Sequence, residues 1–171
     1  MVGRGDSVAS FKELYKKYSK QLFLYLFYLT GNYHEAEDLL QETFYQAYKS
    51  LHRFKGKSKL STWLYQIAKH VYSNSKRKPF IKGEHEAVEL LTEHSTPETI
   101  LTEKEKYEQL IQSISLLNDT YKEVIILRTI NDLTYQEIGE VMDRSENWVR
   151  VTFYRAKTQL TTIMNQKGEE E

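Results

Sequence analysis

The stretch Gly31-Asn32-Tyr33-His34-Glu35-Ala36-Glu37-Asp38-Leu39-Leu40-Gln41-Glu42-Thr43-Phe44 carries both the punctuation and the periodicity of a helix. Gly31 suits the left-handed position that closes a preceding helix. Asn32 opens a new one, with Glu35 three residues on as its capping partner. Ala36, Leu39, Leu40, Thr43 and Phe44 then recur on one face, and the spacing runs on to Ala47 and Leu51. That is the stripe of a half-buried α-helix. The other sides hold Glu35, Glu37, Asp38, Gln41 and Glu42. Paired carboxylates can serve a metal or a proton transfer, but no Glu-x-x-His pair and no second acidic helix completes such a cage. The acids read as a solvated face or an acidic docking surface.

Upstream, Leu14, Tyr18, Leu22, Tyr25, Leu26 and Leu29 form a helical stripe that Gly31 ends. The longest apolar run, Leu22 to Leu29, is eight residues and contains two Tyr. A bilayer-spanning helix needs roughly 20, so the run reads as buried helix and no direct membrane insertion is expected. Downstream, Phe54 to Lys59 is a loop. A third helix is expected from about Leu60 to Lys78, with Trp63, Leu64, Ile67, Ala68 and Val71 inward and Pro79 as its stop. Residues 80 to about 96 read as a linker. Thr96-Pro97-Glu98 is a helix start with proline at the first helical position. Its helix carries Ile100, Leu101, Tyr107, Leu110, Ile111, Ile114 and Leu117, and Asp119 is the expected cap of the next. Two further helices are expected over about Thr134 to Met142 and Ser145 to Met164, before a fraying tail from Lys167 to Glu171.

The chain has 171 residues, with 24 basic and 24 acidic side chains and no Cys. Zero Cys excludes a disulfide scaffold, a thiolate zinc site and a cysteine nucleophile. The neutral total hides an asymmetry. Net charge is +8 over residues 1–78, −4 over 79–104 and −4 over 105–171. From Thr43 to Gly83 there are ten Lys or Arg and no Asp or Glu, interleaved with Phe44, Tyr45, Tyr48, Phe54, Trp63, Tyr65, Tyr72 and Phe80. Cations neutralise phosphates and aromatic faces stack on unpaired bases, so this stretch points to nucleic acid. Phe44 and Trp63 lie on inward stripes and are expected in the core.

Residues 133–160 form the second constellation. Thr134 caps a short helix, a turn follows at Asp143-Arg144, and Ser145 caps a longer one with Val149, Phe153, Ala156 and Leu160 inward. Asn147, Trp148, Val151, Tyr154, Arg155 and Thr158 are on its opposite face, with Arg150 on the flank. This is a helix-turn-helix whose second helix has the side chains to enter a major groove. An ordinary helical hairpin shares the spacing. The five histidines make no H-x-x-H pair, and no Gly-rich phosphate loop or G-x-S-x-G occurs. No catalytic residue, metal site or cofactor is therefore assigned, and an enzyme is the weakest of the readings.

In this order, the features resemble the extracytoplasmic-function sigma factors of the bacterial sigma-70 family. Gly31 to Phe44 is similar to region 2.2, close to G-N-x-x-D-A-E-D-L-x-Q-E-T-F. Phe54-Lys55-Gly56 and Ser61 to Ala68 resemble regions 2.3 and 2.4. Leu133 to Gly139 and Val149 to Leu160 resemble region 4.2. Region 2.4 often reads A-x-N-x-x-x-D-x-x-R, where this chain has Ala68, His70, Asn74 and Arg77; Trp148 stands where the family usually has Thr.

The resemblance implies an all-α fold of two small helical domains joined by a flexible linker, the C-terminal one a helix-turn-helix. Residues 1–79 would be region 2, 80–104 an acidic linker, 105–167 region 4 and 168–171 a disordered tail. It implies a cytoplasmic initiation factor that binds core RNA polymerase, at the β′ clamp helices and β flap, and directs it to promoter DNA in a stress or envelope response. Glu37, Asp38, Gln41 and Glu42 would meet polymerase. Phe54, Lys55, Lys57, Lys59, Trp63, Tyr65, Lys69 and Arg77 would meet the minus-10 element. Tyr135, Asn147, Trp148, Arg150, Val151, Tyr154 and Arg155 would meet the minus-35 element. A membrane-bound anti-sigma factor is the implied inhibitor. The alternative is an autonomous helix-turn-helix regulator, which would leave the acid-free stretch without a role.

Overall fold

The structure, a computed structural model, describes residues 4–76 and 108–168. All regular elements among these residues are helical. Arg77, Pro79, the helix start at Thr96-Pro97, the 80–104 linker and the last three tail residues lie outside the described residues.

The N-terminal unit consists of α1 (Arg4–Thr30), α2 (Tyr33–Ser50), a 3₁₀ turn (Leu51–Arg53) and α3 (Leu60–Ser75). Gly31 ends α1 at φ 67°, and its N–H donates to the Phe27 carbonyl at 2.7 Å. Only glycine adopts that backbone without a Cβ penalty. The Asn32 side chain then accepts from the Glu35 N–H at 2.9 Å. The expected α2 stripe is buried: Ala36, Leu39, Leu40, Thr43, Phe44 and Ala47. Thr43 is tolerated there because its hydroxyl donates to the Leu39 carbonyl at 2.6 Å.

The C-terminal unit consists of helical residues 108–115 (α4), α5 (Asp119–Ile125), a π-helical turn (Ile126–Ile130), α6 (Tyr135–Met142) and α7 (Glu146–Gly168). Asn118, not Asp119, caps α5: its side chain accepts from the Tyr121 N–H at 2.9 Å. Asp119 is the first helical residue, where its charge faces the positive end of the helix dipole. Thr134 and Glu137 form a reciprocal capping box at the start of α6. Between α6 and α7 the chain turns through Asp143 at φ 54°. The Arg144 N–H donates to the Gly139 carbonyl at 2.9 Å, and the Ser145 hydroxyl accepts from the Trp148 N–H at 3.2 Å. A Cβ at Gly139 would stand 2.6 Å from the Arg144 carbonyl oxygen, so the turn closes only over glycine.

The two units pack together, α3 against α6 and α1 against the π-helical turn. The contact explains why the second half of α1 is apolar all round. Of Leu22 to Leu29, every residue but Leu24 is buried. It also corrects one site assignment. Tyr65, expected to meet DNA, is 2% exposed. Its ring packs edge-on against Tyr25 at 5.5 Å between centroids, and its hydroxyl accepts from the Asn131 side chain at 2.9 Å. Burial holds that phenol well above its usual titration range.

Candidate nucleic-acid interface

Three surfaces are built on this frame. The first is the outer face of α2. Asp38, Gln41 and Glu42 are exposed and Glu37 is half-buried at their edge. Glu42 accepts a hydrogen bond from Gln46 at 2.6 Å, an i,i+4 contact that pre-orders the carboxylate. Tyr45 and Tyr48 continue the face and are 57% and 52% exposed. Sequence reasoning read these rings as part of the aromatic stretch and not as neighbours of the acids. The spacing Asp38, Gln41, Tyr45, Tyr48 carries that signal.

The second surface is the loop before α3. Phe54 and Trp63 lie against each other at 5.1 Å between centroids, both half-buried. Lys55 and Lys57 are exposed on either side of Gly56, which turns the loop at φ 67°. Together with Arg53, Ser58 and Gln66 they line a cleft of about 580 Å³, and Glu140 of the C-terminal unit closes one side. A larger groove of about 780 Å³ runs between α2 and α3, lined by Glu42, Gln46, Trp63, His70 and Asn74 among others. Aromatic walls with flanking cations can take an unpaired base and its phosphate.

Lys59 and Lys69, expected on the same DNA face, are instead engaged. Lys59 pairs with Glu137 at 2.7 Å, and this hydrogen bond raises the ammonium's pKa. Lys69 pairs with Glu123, which also accepts from the Tyr25 hydroxyl at 2.7 Å. Burial first, and then the Glu123 charge, push the Tyr25 phenol far up. The Gln66 amide donates to the Glu140 carbonyl at 2.8 Å.

The third surface is α7. Val149 and Ala156 are buried as expected, Thr152 joins them, and Phe153 and Leu160 are half-buried. Asn147, Arg150, Val151, Tyr154 and Arg155 are exposed, Tyr154 at 74%. Trp148 is half-buried against the core with the Arg144 guanidinium 5.2 Å from its ring. Tyr135 lies against Arg128 at 4.9 Å, Arg150 at 5.0 Å and Phe153 at 5.7 Å. Arg150 also pairs with Glu146 at 2.7 Å. The Arg155 side chain has no hydrogen bond or ion pair among the described residues. The two arginines thus differ in preparation: one is braced, the other extends into solvent.

Among the described residues no His, Asp or Glu cluster could hold a metal, and no helix is long and apolar enough to cross a membrane.

Known proteins share these features over nearly the whole chain. Residues 14–79 match sigma-70 region 2 and residues 107–160 match sigma-70 region 4. RNA polymerase sigma factor YlaC of Bacillus subtilis is 36% identical, over 95% of this chain and 96% of its own. The ECF RNA polymerase sigma factor SigW of the same organism is 32% identical, over 93% and 90%. In fold, the chain is similar to the sigma factor RpoE of Bartonella quintana, solved with the anti-sigma factor NepR. The TM-score there is 0.74 at 18% identity, over 91% of this chain and 97% of that one. CnrH, solved with the cytosolic domain of CnrY, gives 0.72, also at 18% identity, over 92% and 89%. Two matched regions, in order, around an acidic helix, an acid-free aromatic loop and a helix-turn-helix leave one assignment: the chain belongs to the extracytoplasmic-function sigma factors of the sigma-70 family.

Proposed function

We propose that the chain docks on core RNA polymerase and directs it to a promoter with elements at minus-10 and minus-35. Residues 1–79 and 105–167 are the working domains. The observation that carries the reading is the division of charge in the first unit. Asp38, Gln41 and Glu42 stand on one helix face, while Lys55 and Lys57 flank the Phe54–Trp63 pair on the acid-free loop. The acidic face suits basic partner helices, for which the β′ clamp helices are the candidate. The loop suits melted DNA. In α7, Arg150, braced by Glu146 and Tyr135, has the fixed geometry for a bidentate base contact, and the unbraced Arg155 suits a phosphate.

A membrane-bound anti-sigma factor is the proposed inhibitor; the anti-sigma factor NepR in the RpoE structure and the cytosolic domain of CnrY in the CnrH structure support an inhibitor of this kind. The cytoplasm of a bacterium is the proposed compartment and a stress response the proposed setting. The test is in vitro transcription with core enzyme on a library randomised across both elements. Enrichment of one spaced pair of elements, dependent on this chain, is expected. Transcripts that do not depend on it, or binding to duplex DNA in sequence-specific form without core enzyme, would overturn the reading.

A further inference from the structure

The first unit has a cationic surface that the loop before α3 does not include. Lys12, Lys16, Lys17 and Lys20 fall within nine residues of α1, with Glu13 as the one acid among them. Leu14 and Leu22 are buried and Phe11 and Tyr18 half-buried, while all four lysines are exposed. Lys17 lies over the Tyr18 ring at 5.3 Å. The side chains of Lys12, Lys16 and Lys20 have no hydrogen bond or ion pair among the described residues. Four residues advance a helix by about 6 Å and complete little more than one turn. These three ammonium groups therefore form one row, about 12 Å long at that rise.

The row starts at the loop end of the unit. Phe11 packs against Tyr48 at 5.2 Å and Phe44 at 6.1 Å between centroids, and Tyr15 against Phe44 at 4.6 Å. The first half of α1 thus lies beside the second half of α2, which runs through the 3₁₀ turn into Phe54, Lys55 and Lys57. Two further cations of the acid-free stretch, Lys59 and Lys69, are engaged by Glu137 and Glu123.

We propose that the Lys12–Lys16–Lys20 row of α1 is a second nucleic-acid contact, which holds the phosphate backbone of promoter DNA where it continues beyond the minus-10 element. The proposal rests on the sigma-factor reading. A row of about 12 Å spans about three phosphates of one strand, at roughly 3.4 Å of rise each. Lysine is a mobile point charge that suits phosphates and is depleted in protein–protein interfaces, so an acidic protein face is the poorer match. The row reads no bases. It adds affinity that is alike for every flanking sequence and falls with salt.

The test uses holoenzyme, this chain with core polymerase, on a fluorescent fragment carrying the enriched promoter. Two shorter fragments end at the upstream or the downstream edge of the minus-10 element. Lys12→Gln, Lys16→Gln and Lys20→Gln together remove the charge from exposed sites and keep helix-forming side chains. The matching Lys→Arg triple keeps the charge. On the full fragment the Gln chain is expected to flatten the slope of log affinity against log salt by about two units, and to bind roughly tenfold more weakly at low salt. The Arg chain is expected to match the parent. One of the shorter fragments is expected to bind parent and Gln chains equally, which identifies the flank the row holds. Equal slopes for parent and Gln chains on the full fragment would overturn the proposal. A difference that persists on both shorter fragments would place the row on the minus-10 element itself and overturn it too. So would loss of core capture by the Gln chain, which would make the row a polymerase contact. A parent holoenzyme that binds the promoter no better than core enzyme alone would strike the sigma-factor reading instead, so the two failures are distinguishable.

Discussion

At Gly139 one hydrogen atom decides whether the helix-turn-helix closes. The carbonyl of Arg144 occupies the space of a Cβ, at 2.6 Å, and it belongs to backbone that cannot swing aside. Gly139→Ala is therefore expected to destabilise the C-terminal unit by about 1–3 kcal/mol, the usual cost of forcing extra volume into a packed site. Thermal unfolding of the full chain measures it, and an unchanged midpoint would refute the close approach. The next turn position carries the complementary constraint. Asp143 sits at φ 54°, which short polar side chains tolerate and β-branched ones do not. Asp143→Val is expected to cost about 1–2 kcal/mol through backbone strain alone. Both residues are visible in the sequence, but only as a glycine and an acid near a turn. What the sequence does not carry is which atom approaches which, because the contact runs from α6 to a carbonyl beyond it.

Among the elements, α2 was legible almost residue by residue; the α3 stripe of Leu64, Ala68 and Val71 was legible too, but the burial of its neighbour Tyr65 was not. The stripe of α2 is covered from one side, so a single helical period states its burial. The face of α3 holding Tyr65 is covered by the C-terminal unit, through Asn131, 66 residues away in sequence. Local periodicity holds no trace of such a partner. The π-helical turn that presents Asn131 was equally hidden, since the run Ile125-Ile126-Leu127 fits any buried helix. Capping at Asn32 and Thr134 was legible because it is local, while at α5 the cap falls one residue earlier than expected, on Asn118; α6 shows what a cap contributes. Burial alone would raise the Glu137 pKa above 4.5, but hydrogen bonds from Lys59 and from the backbone and hydroxyl of Thr134 bring it below that value. A carboxyl depressed in the folded state stabilises that state above its unfolded pKa and loses the contribution as pH falls through the folded one. The stability difference between the parent and Glu137→Gln is thus expected to be full near neutrality and to shrink below pH 4.5. Thr134→Ala removes the other half of the box and is expected to cost about 1 kcal/mol. A difference that grows as the solution is acidified would contradict the assigned direction.

For the molecule as a whole, the three ion pairs between the units differ in weight. Lys76 and Asp119, 3.1 Å apart, are both exposed. The Lys59 side chain is 72% exposed, and its pairing with Glu137 competes with water and salt. Lys69 and Glu123 are 31% and 11% exposed, and Glu123 has the Tyr25 hydroxyl as a second donor. Removing one partner of such a pair strands the other, at about 3 kcal/mol, the low end being appropriate because Lys69 still reaches solvent. Closure is therefore expected to survive Lys59→Ala and to be lost on Glu123→Lys, although each changes one charged residue. Salt should sort them the same way. At about 1 M ionic strength the screening length falls to roughly 3 Å, which weakens the exposed Lys59–Glu137 and Lys76–Asp119 pairs and leaves the buried Tyr25–Glu123–Lys69 and Gln21–Asn131–Tyr65 contacts. The radius of gyration of the parent chain should then change little between low and high salt. A chain that opens on salt alone would show that the exposed charges hold the domains together. A chain that stays compact, and opens with Glu123→Lys, would place the latch at the buried carboxylate where α1, α3 and α5 meet.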